Sequence, residues 1–298
     1  MINIESNKFS EIYKRLLYEI YNNSDNIVRP RGLKVKEKNN VLLILNDPLS
    51  NLYKNEIRNP NFKYLCAEII WYFNRSNSLK FISKYSKFWN KISNDGITSE
   101  SAYGKLIFDS SDSYTLNTEW AWALKSLLND KNSRQALIRF NKPQHSFDGN
   151  KDFVCTLNGI FSIRNNKLDF NIIMRSQDMW FGIIYDIPFF TLLQQQMLNH
   201  LKEEYKDLEL GSYYHYIINA HIYENNFNII EKMLNTEFYE DRLPKLKLNF
   251  VTQESNTMPH IKNIYNFISD GEELRDFTKS MIDKDELVKT IFENIKNV

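Results

Sequence analysis

The sequence predicts an α+β fold, in which a mixed sheet carries helices packed on one side. Apolar residues recur at helical spacing over residues 8–22 and 62–73. Two runs with strand character, 152–163 and 167–175, are joined by the turn RNNK, and aromatic and polar residues alternate over 212–223. A long-stranded antiparallel or mixed sheet combined with helices on one side indicates an α+β arrangement.

The length and charge of the chain limit what it can be. Its 298 residues can bury a substantial core, and we expect one domain over residues 1–298. Hydrophobic residues make up 42% and charged residues 25%, which is typical of a globular protein and not of a disordered one. The formal net charge is +1, so no long-range positive field attracts nucleic acid. Any bound anion should be small and held locally.

The cysteines and the apolar runs indicate a cytoplasmic protein without a membrane segment. Cys66 and Cys155 form no CxxC motif, and no histidine stands at zinc spacing, so neither a disulfide scaffold nor a metal site is predicted. The N-terminal segment carries charges throughout and lacks the apolar core of a signal peptide. The longest apolar runs, such as IPFFTLL, are too short to span a membrane.

The first element is an amphipathic helix over 8–22. Residues 22–37 are predicted to form a polar loop before a strand at 41–47, since they contain Pro30 and Gly32. The loop is basic, with Arg29, Arg31, Lys34 and Lys36. It fits a solvated turn, and a clamp for an anion is the alternative.

The helix predicted over 62–73 should be mostly buried, and Glu68 interrupts its apolar residues. A carboxylate in such a helix is unfavourable unless it is paired or used. Both a buried pair with Lys or Arg and a functional role remain open at this point. A further helix is predicted over 116–128, and the stretch NDKNSRQ should turn the chain into the strand ALIRF.

Cys155 is predicted to lie in the strand 152–163, where a cysteine is more often a small core residue than a nucleophile. Asp186 and Pro188 are predicted to begin a helix that runs to about Lys202. A carboxylate at that end interacts favourably with the helix dipole, so the plain interpretation of Asp186 is a helix cap. Helices of mixed polarity end the chain.

Several motifs occur in an order that carries more information than any one of them. Cys155 is followed by RSxD, by FGxxxD and by HIY at 221–223. Together with AEIIWYF, SAYG, NSRQ and DFVCT, this order resembles the thymidylate synthase superfamily over residues 29–245. Within the superfamily the likeness is strongest to the phage deoxycytidylate hydroxymethylases.

The resemblance implies a pyrimidine nucleotide C5 hydroxymethyltransferase. The thiolate of Cys155 would add to C6 of the base and make C5 nucleophilic, and 5,10-methylenetetrahydrofolate would supply the one-carbon unit. Synthases then reduce the exocyclic methylene, whereas hydroxymethylases hydrate it. The resemblance also implies that Glu68 organises water and transfers protons, and that Tyr103 lies close to the nucleophile. No metal is expected.

The resemblance assigns the substrate phosphate to four residues, namely Arg31, Arg134, Arg175 and Ser176. The family supplies the second of these arginines from the neighbouring subunit. A homodimer with shared active sites, formed through a sheet face, is therefore implied.

The remaining ligands implied by the resemblance concern the sugar and the folate. His221 and Tyr223 stand at alternate positions of one strand, so both can face the 3′-hydroxyl of the sugar. Asp178 and Trp89 would face the folate. The expected ligands are thus a pyrimidine nucleoside monophosphate and a folate.

Asp186 is the residue that predicts which base is bound. Synthases have asparagine there, whose amide donates to O4 of uracil and accepts from N3–H. An ionised carboxylate only accepts, and it matches the exocyclic amine and the protonated ring nitrogen of cytosine. The predicted substrate is therefore a cytidine nucleotide, and the resemblance to the deoxycytidylate hydroxymethylases implies dCMP. The alternatives are a CMP or dUMP hydroxymethylase, a thymidylate synthase, and a nucleotide-binding relative without catalysis.

The chain also departs from the synthase pattern. Thr156 follows the cysteine where synthases have histidine, and Ile160 stands where glutamine is usual. Gln135 replaces the second arginine of SRR, which removes one positive charge from the phosphate site. Beyond Pro244 the synthase tail GYxPHP is absent, and because that tail excludes water, its absence favours hydration of the methylene.

Overall fold

The computed structural model describes residues 2–109 and 118–297, except for the side chain of Arg31. The strands, in chain order, are β1 (Ile2–Ser6), β2 (Asn26–Val28), β3 (Val35–Leu45), β4 (Leu52–Asn55), β5 (Leu137–Arg139), β6 (Thr156–Arg164), β7 (Lys167–Met174), β8 (Gln177–Asp178), β9 (Glu209–Tyr223) and β10 (Phe238–Asp241).

The helices are α1 (Phe9–Asn22), α2 (Phe62–Phe73), α3 (Leu79–Ile82), α4 (Phe88–Ile92), α5 (Tyr103–Phe108), α6 (Glu119–Asn129), α7 (Ile183–Leu201), α8 (Phe227–Leu234), α9 (Pro259–Asp270), α10 (Asp276–Lys284) and α11 (Glu286–Ile295). This mixture confirms the predicted α+β class.

The chain divides into two compact units, each built from several segments. The first contains residues 1–60, 155–194 and 208–243, and the second contains 61–154, 195–207 and 244–298. The expectation of a single domain over 1–298 stays a prediction.

A mixed sheet forms the centre of the first unit. Its strands follow the order β1, β3, β9, β7, β6, with β2 on β3 and β8 on β9. The β1–β3, β7–β9 and β8–β9 pairs are parallel, and the β3–β9 and β6–β7 pairs are antiparallel. The predicted mixed sheet is therefore confirmed.

The two faces of this sheet differ in burial. One face is fully buried, and Phe161 and Phe170 stack on it with ring centroids 3.9 Å apart. Helix α1 contacts β1 and β3 through a buried apolar stripe. The opposite face is only half-buried although it includes apolar side chains, namely Leu42, Ile44, Ile173, Tyr214 and Tyr216.

Helix α2 is the centre of the second unit and contacts α5, α9 and α11. Every residue from Tyr64 to Phe73 is buried, so this part of the helix is enclosed on all sides. A Cβ atom at Gly104 of α5 would clash with the carbonyl oxygen of Tyr72, so this glycine permits the close approach of α5 to α2. Cys66 is fully buried in α2, and burial raises the pKa of its thiol to about 12.

Several predicted elements differ from the structure. The basic stretch 22–37 is not wholly a loop, because it contains β2, a 3-10 turn at Pro30–Gly32 and the start of β3. β6 begins at Thr156, so Cys155 precedes the strand. Helix α7 begins at Ile183, which places Asp186 in its first turn and not at its cap.

Other predictions were more accurate. The helix predicted over 62–73 has those bounds, and the strand predicted over 212–223 extends back to Glu209. The helix predicted over 116–128 is observed as α6, and residues 116 and 117 lie outside the described part of the chain.

Candidate active site

Cys155 and Arg175 lie side by side in the first unit because β6 and β7 form an antiparallel pair. Thr156 pairs with Met174 at this end of the two strands, so Cys155, which precedes Thr156, lies opposite Arg175, which follows Met174. The Arg175 amide donates to the Cys155 carbonyl at 2.9 Å, and Arg175 Nη2 lies 3.7 Å from the sulfur. A guanidinium beside a half-buried thiol favours the thiolate, which is the nucleophilic form.

Ser176, His221 and Tyr223 lie close to this pair in the same unit. Ser176 Oγ is 3.4 Å from His221 Nδ1, and the rings of His221 and Tyr223 are 5.1 Å apart and perpendicular. Burial lowers the pKa of His221, against the opposing effect of the Asp178 carboxylate. A neutral imidazole beside two hydroxyl groups can both donate and accept, as a sugar hydroxyl requires.

Asp178 is the Cα partner of His221 in the β8–β9 pair. Its Oδ1 accepts a hydrogen bond from the Trp180 amide at 2.7 Å. Burial raises the pKa of Asp178, and this amide and His221 oppose the shift only in part. Asp178 is half-buried, and its carboxyl oxygens can accept hydrogen bonds from a ligand.

Asp186 is held by two residues close to it in sequence. Its amide donates to the Gly182 carbonyl at 3.1 Å, and Gln177 Nε2 donates to its Oδ2 at 2.7 Å. Gln177 is buried, whereas Asp186 is half-buried. Sequence reasoning missed Gln177, which lies inside the RSxD motif at its unassigned position.

The second unit contains a separate cluster around Glu68. The hydroxyl groups of Tyr64 and Tyr72 both donate to Glu68 Oε1, the latter at 3.2 Å. Trp89 Nε1 in turn donates to the Tyr64 hydroxyl at 3.0 Å. Sequence reasoning missed both tyrosines, although their spacing of four residues on either side of Glu68 places all three on one helix face.

Tyr103 joins the same cluster at the start of α5. Its ring centroid is 5.2 Å from that of Tyr72, and the contact depends on the close approach that Gly104 permits. The structure therefore brings together three predicted residues of the second unit, namely Glu68, Trp89 and Tyr103. Trp89 and Tyr103 contact the two tyrosines that donate to Glu68, which is 6% exposed.

The other predicted phosphate ligands have different surroundings. Arg134 is exposed in the turn after α6 and lines a surface groove together with Gln135, Trp122 and Arg139. Arg31 lies in the 3-10 turn Pro30–Gly32, but its side chain lies outside the described residues.

Within residues 2–109 and 118–297 no three His, Cys, Asp or Glu side chains are grouped so as to hold a metal ion. In the same part of the chain, no helix combines the length and apolar character needed to cross a membrane.

Comparisons with known proteins support the resemblance seen in the motifs. The family model described as thymidylate synthase matches residues 12–282. Deoxyuridylate hydroxymethyltransferase of Bacillus phage SP01 is 24% identical over 258 residues, which cover 82% of this chain and 66% of that protein. Deoxycytidylate 5-hydroxymethyltransferase of Enterobacteria phage T2 is 26% identical over 183 residues, 59% of this chain and 73% of that protein.

A thymidylate synthase of Clostridium beijerinckii is 28% identical over 220 residues, which cover 72% of this chain and 74% of that protein. The relatives thus include a synthase and hydroxymethyltransferases for two different bases. The family model nevertheless covers most of the chain and includes Cys155 and every other predicted site residue. The chain therefore belongs to the thymidylate synthase family of one-carbon transferases.

Proposed function

We propose that this protein hydroxymethylates C5 of a cytidine nucleotide, with dCMP as the substrate and 5,10-methylenetetrahydrofolate as the co-substrate. The observation that carries this proposal is the carboxylate of Asp186, which accepts from Gln177 and lies in the same unit as Cys155 and Arg175. The T2 relative, whose name states a deoxycytidylate activity, adds support.

Cys155 initiates the reaction as the nucleophile. Its thiolate, stabilised by the adjacent Arg175 guanidinium, adds to C6 of the base, and the electron pair of the C5–C6 double bond becomes available at C5. The folate supplies a one-carbon unit at the oxidation level of formaldehyde. C5 bonds to the methylene carbon of the folate and then loses its proton. The bond between that carbon and the folate nitrogen breaks, tetrahydrofolate leaves as the amine, and an exocyclic methylene remains on C5. Water then adds to this methylene, and the thiolate leaves C6, which restores the C5–C6 double bond.

Asp186 selects the base. An ionised carboxylate accepts hydrogen bonds from the exocyclic amine of cytosine and from its protonated ring nitrogen, whereas it repels the O4 atom of uracil. Unpaired polar groups in a binding site strongly disfavour the wrong base. Asp186 therefore favours cytosine.

Glu68 handles water and protons. The two tyrosine hydroxyl groups that donate to Oε1 hold its carboxylate in one orientation, and Trp89 holds Tyr64. A carboxylate fixed in this way can orient a water molecule and transfer protons during hydration.

Asp178 and Trp89 are the proposed folate ligands. The residues fit a folate, because the half-buried carboxyl group of Asp178 can accept hydrogen bonds from the N–H groups of a pterin ring. Trp89 is 6% exposed and makes an edge contact with Trp71, which suits it to line an aromatic binding surface.

The nucleotide phosphate is bound by Arg31, Arg175 and Ser176 of one subunit and by Arg134 of its partner. The half-buried apolar face of the sheet supports a dimer interface, since apolar side chains adjoin there through the registers Leu42–Tyr216 and Ile44–Tyr214. The exposure of Arg134 supports its role across that interface. We place this homodimer, with one domain in each subunit, in the cytoplasm.

A uridine nucleotide is the second candidate substrate. The SP01 relative, named for deoxyuridylate, aligns over 82% of this chain. The same thiolate and glutamate would serve this reaction, and only the base contact would differ.

The identity of the product tests the proposal. The protein is incubated with 5,10-methylenetetrahydrofolate and dCMP, CMP or dUMP, and the products are identified by mass spectrometry. We expect 5-hydroxymethyl-dCMP and tetrahydrofolate, without the absorbance rise near 340 nm that dihydrofolate would cause. A robust dihydrofolate signal would identify a synthase.

The nucleophile is tested by Cys155→Ser, which should retain nucleotide binding and abolish turnover because a serine hydroxyl attacks C6 poorly. Cys66→Ala is the matched control, since its buried thiol is not part of the mechanism. Substantial turnover by Cys155→Ser contradicts the assignment.

A further inference from the structure

A chain of buried hydrogen-bonding groups ends at Asp186. Tyr213 Oη lies 2.7 Å from His215 Nδ1, and His215 Nε2 lies 3.1 Å from Gln177 Oε1. Gln177 Nε2 then donates to Asp186 Oδ2 at 2.7 Å. We call Tyr213, His215 and Gln177 the Asp186 relay.

The relay lies in apolar surroundings on the buried face of the sheet. His215 and Tyr213 are fully buried, and Leu43 and Ile172 are the register partners of His215 on the two adjacent strands. Polar groups are unfavourable there unless each is hydrogen-bonded. Three such side chains in one connected chain indicate a role beyond filling the core.

Only one assignment of donors and acceptors lets every hydrogen bond of the relay form when Asp186 is ionised. An ionised Asp186 requires the NH₂ group of Gln177, so the amide oxygen of Gln177 must face His215. That oxygen requires Nε2–H on His215. Burial lowers the pKa of His215 to about 3, so the ring is neutral and its Nδ1 accepts from the Tyr213 hydroxyl.

Gly182 independently indicates that the structure leaves room for the Gln177 side chain. A Cβ atom at Gly182 would overlap Gln177 Nε2 and would lie 2.8 Å from the Asp178 carbonyl oxygen. The absence of a side chain leaves room for the amide that reaches Asp186. The carbonyl of the same glycine accepts from the Asp186 amide, so Gly182 supports both partners of the contact.

We propose that Gln177, His215 and Tyr213 are positioning residues that hold the Asp186 carboxylate in one orientation, as a hydrogen-bond acceptor, and thereby set the preference for cytosine over uracil. This inference rests on the proposed role of Asp186. The relay acts through Asp186 and does not itself contact the base.

A double-mutant cycle on nucleotide affinity tests the relay. Gln177→Met removes the amide and keeps a similar length, and calorimetry measures the affinities for dCMP and dUMP. We expect the dCMP affinity to fall about ten- to a hundredfold, as for a lost hydrogen bond to a charged group, with less effect on dUMP. In an Asp186→Ala background the same change should have less than about a twofold effect. An equal effect in both backgrounds would mean that Gln177 acts through packing, and would overturn the proposal.

Tyr213→Phe is a milder variant that deletes only the first donor of the relay. It should lower the preference for dCMP over dUMP by about threefold. The control is Tyr205→Phe, which removes the hydroxyl that donates to the Leu127 carbonyl in the second unit and should leave the preference unchanged. Equal preferences in Tyr213→Phe and wild type contradict the relay.

The tautomer of His215 provides a readout that needs no activity. Nitrogen-15 NMR of the wild-type protein at pH 7 should show a neutral ring protonated on Nε2, and protonation on Nδ1 would overturn the relay. If the wild type converts no pyrimidine nucleotide, the proposed function fails, while this measurement still decides whether the relay exists.

Discussion

Asp186→Asn is the most informative single substitution in this protein. It exchanges two acceptor oxygens for one acceptor and one donor, with almost no change in size. The amide oxygen can keep the contact with Gln177, which is 2.7 Å long in the structure. The NH₂ group would then face the base, where it matches O4 of uracil and opposes the amine of cytosine.

The magnitude follows from the contact that is lost. A hydrogen bond to a charged group contributes about 1.5–3 kcal/mol, so kcat/KM for dCMP should fall about ten- to a hundredfold. The relative kcat/KM for dUMP should rise. Asp186 lies in the first turn of α7, where a carboxylate stabilises the helix by only about 0.3–1 kcal/mol, so the variant should fold.

The assay compares kcat/KM for dCMP and dUMP in wild type and variant. Asp276→Asn is the matched control, because it makes the same chemical change in the first turn of α10 at a fully exposed side chain. It should leave the ratio of the two substrates unchanged. If Asp186→Asn also leaves that ratio unchanged, Asp186 does not read the base, and the assignment of a cytidine substrate loses its main support.

Two further predictions concern the dimer and the histidines. When the Arg134→Ala and Cys155→Ser variants are mixed, activity should be partly regained, because each mixed dimer would contain one active site with neither defect. If subunits exchange and no activity returns, Arg134 acts in the active site of its own subunit. Burial lowers the pKa of all five histidines in the folded protein. Below about pH 6.5 the unfolded chain therefore binds more protons than the folded protein, and the free energy of unfolding decreases as the pH falls. His215 and His260, with pKa values of about 3 and about 4, should together lose about 3 kcal/mol between pH 7.5 and 5.5. Urea unfolding at the two pH values measures this loss, and equal stabilities would contradict it.

The sequence predicted the elements whose residues carry their own signal. Helix α2 is apolar apart from Lys63 and Glu68, and the Asn61 side chain caps it by accepting from the Tyr64 amide, so its bounds could be predicted. Strand β2 gave no such signal because all three of its residues are exposed. The polar start of β3 was also missed, since it is held by pairing with β9 and not by its own hydrophobicity.

The same distinction applies to the candidate site. The order of the motifs predicted that Cys155, Arg175 and Ser176 belong to one site, and the structure brings Cys155 and Arg175 into contact. The Asp186 relay could not be predicted, because Gln177 and His215 are 38 residues apart in the chain and meet only in the folded structure. That contact depends on tertiary packing, which no local pattern in the sequence specifies.

Because the two cysteines differ in exposure and surroundings, the native chain has one thiol that can be labelled selectively. At neutral pH the thiol of Cys66, with a pKa of about 12 and no exposed surface, is protonated and shielded from reagents in α2. Cys155 is half-buried and lies beside a guanidinium. An alkylating reagent should therefore label the unmutated folded protein once per chain. The amount of label incorporated would count intact nucleophiles, and a fluorescent label would report on nucleotide binding without an engineered attachment site.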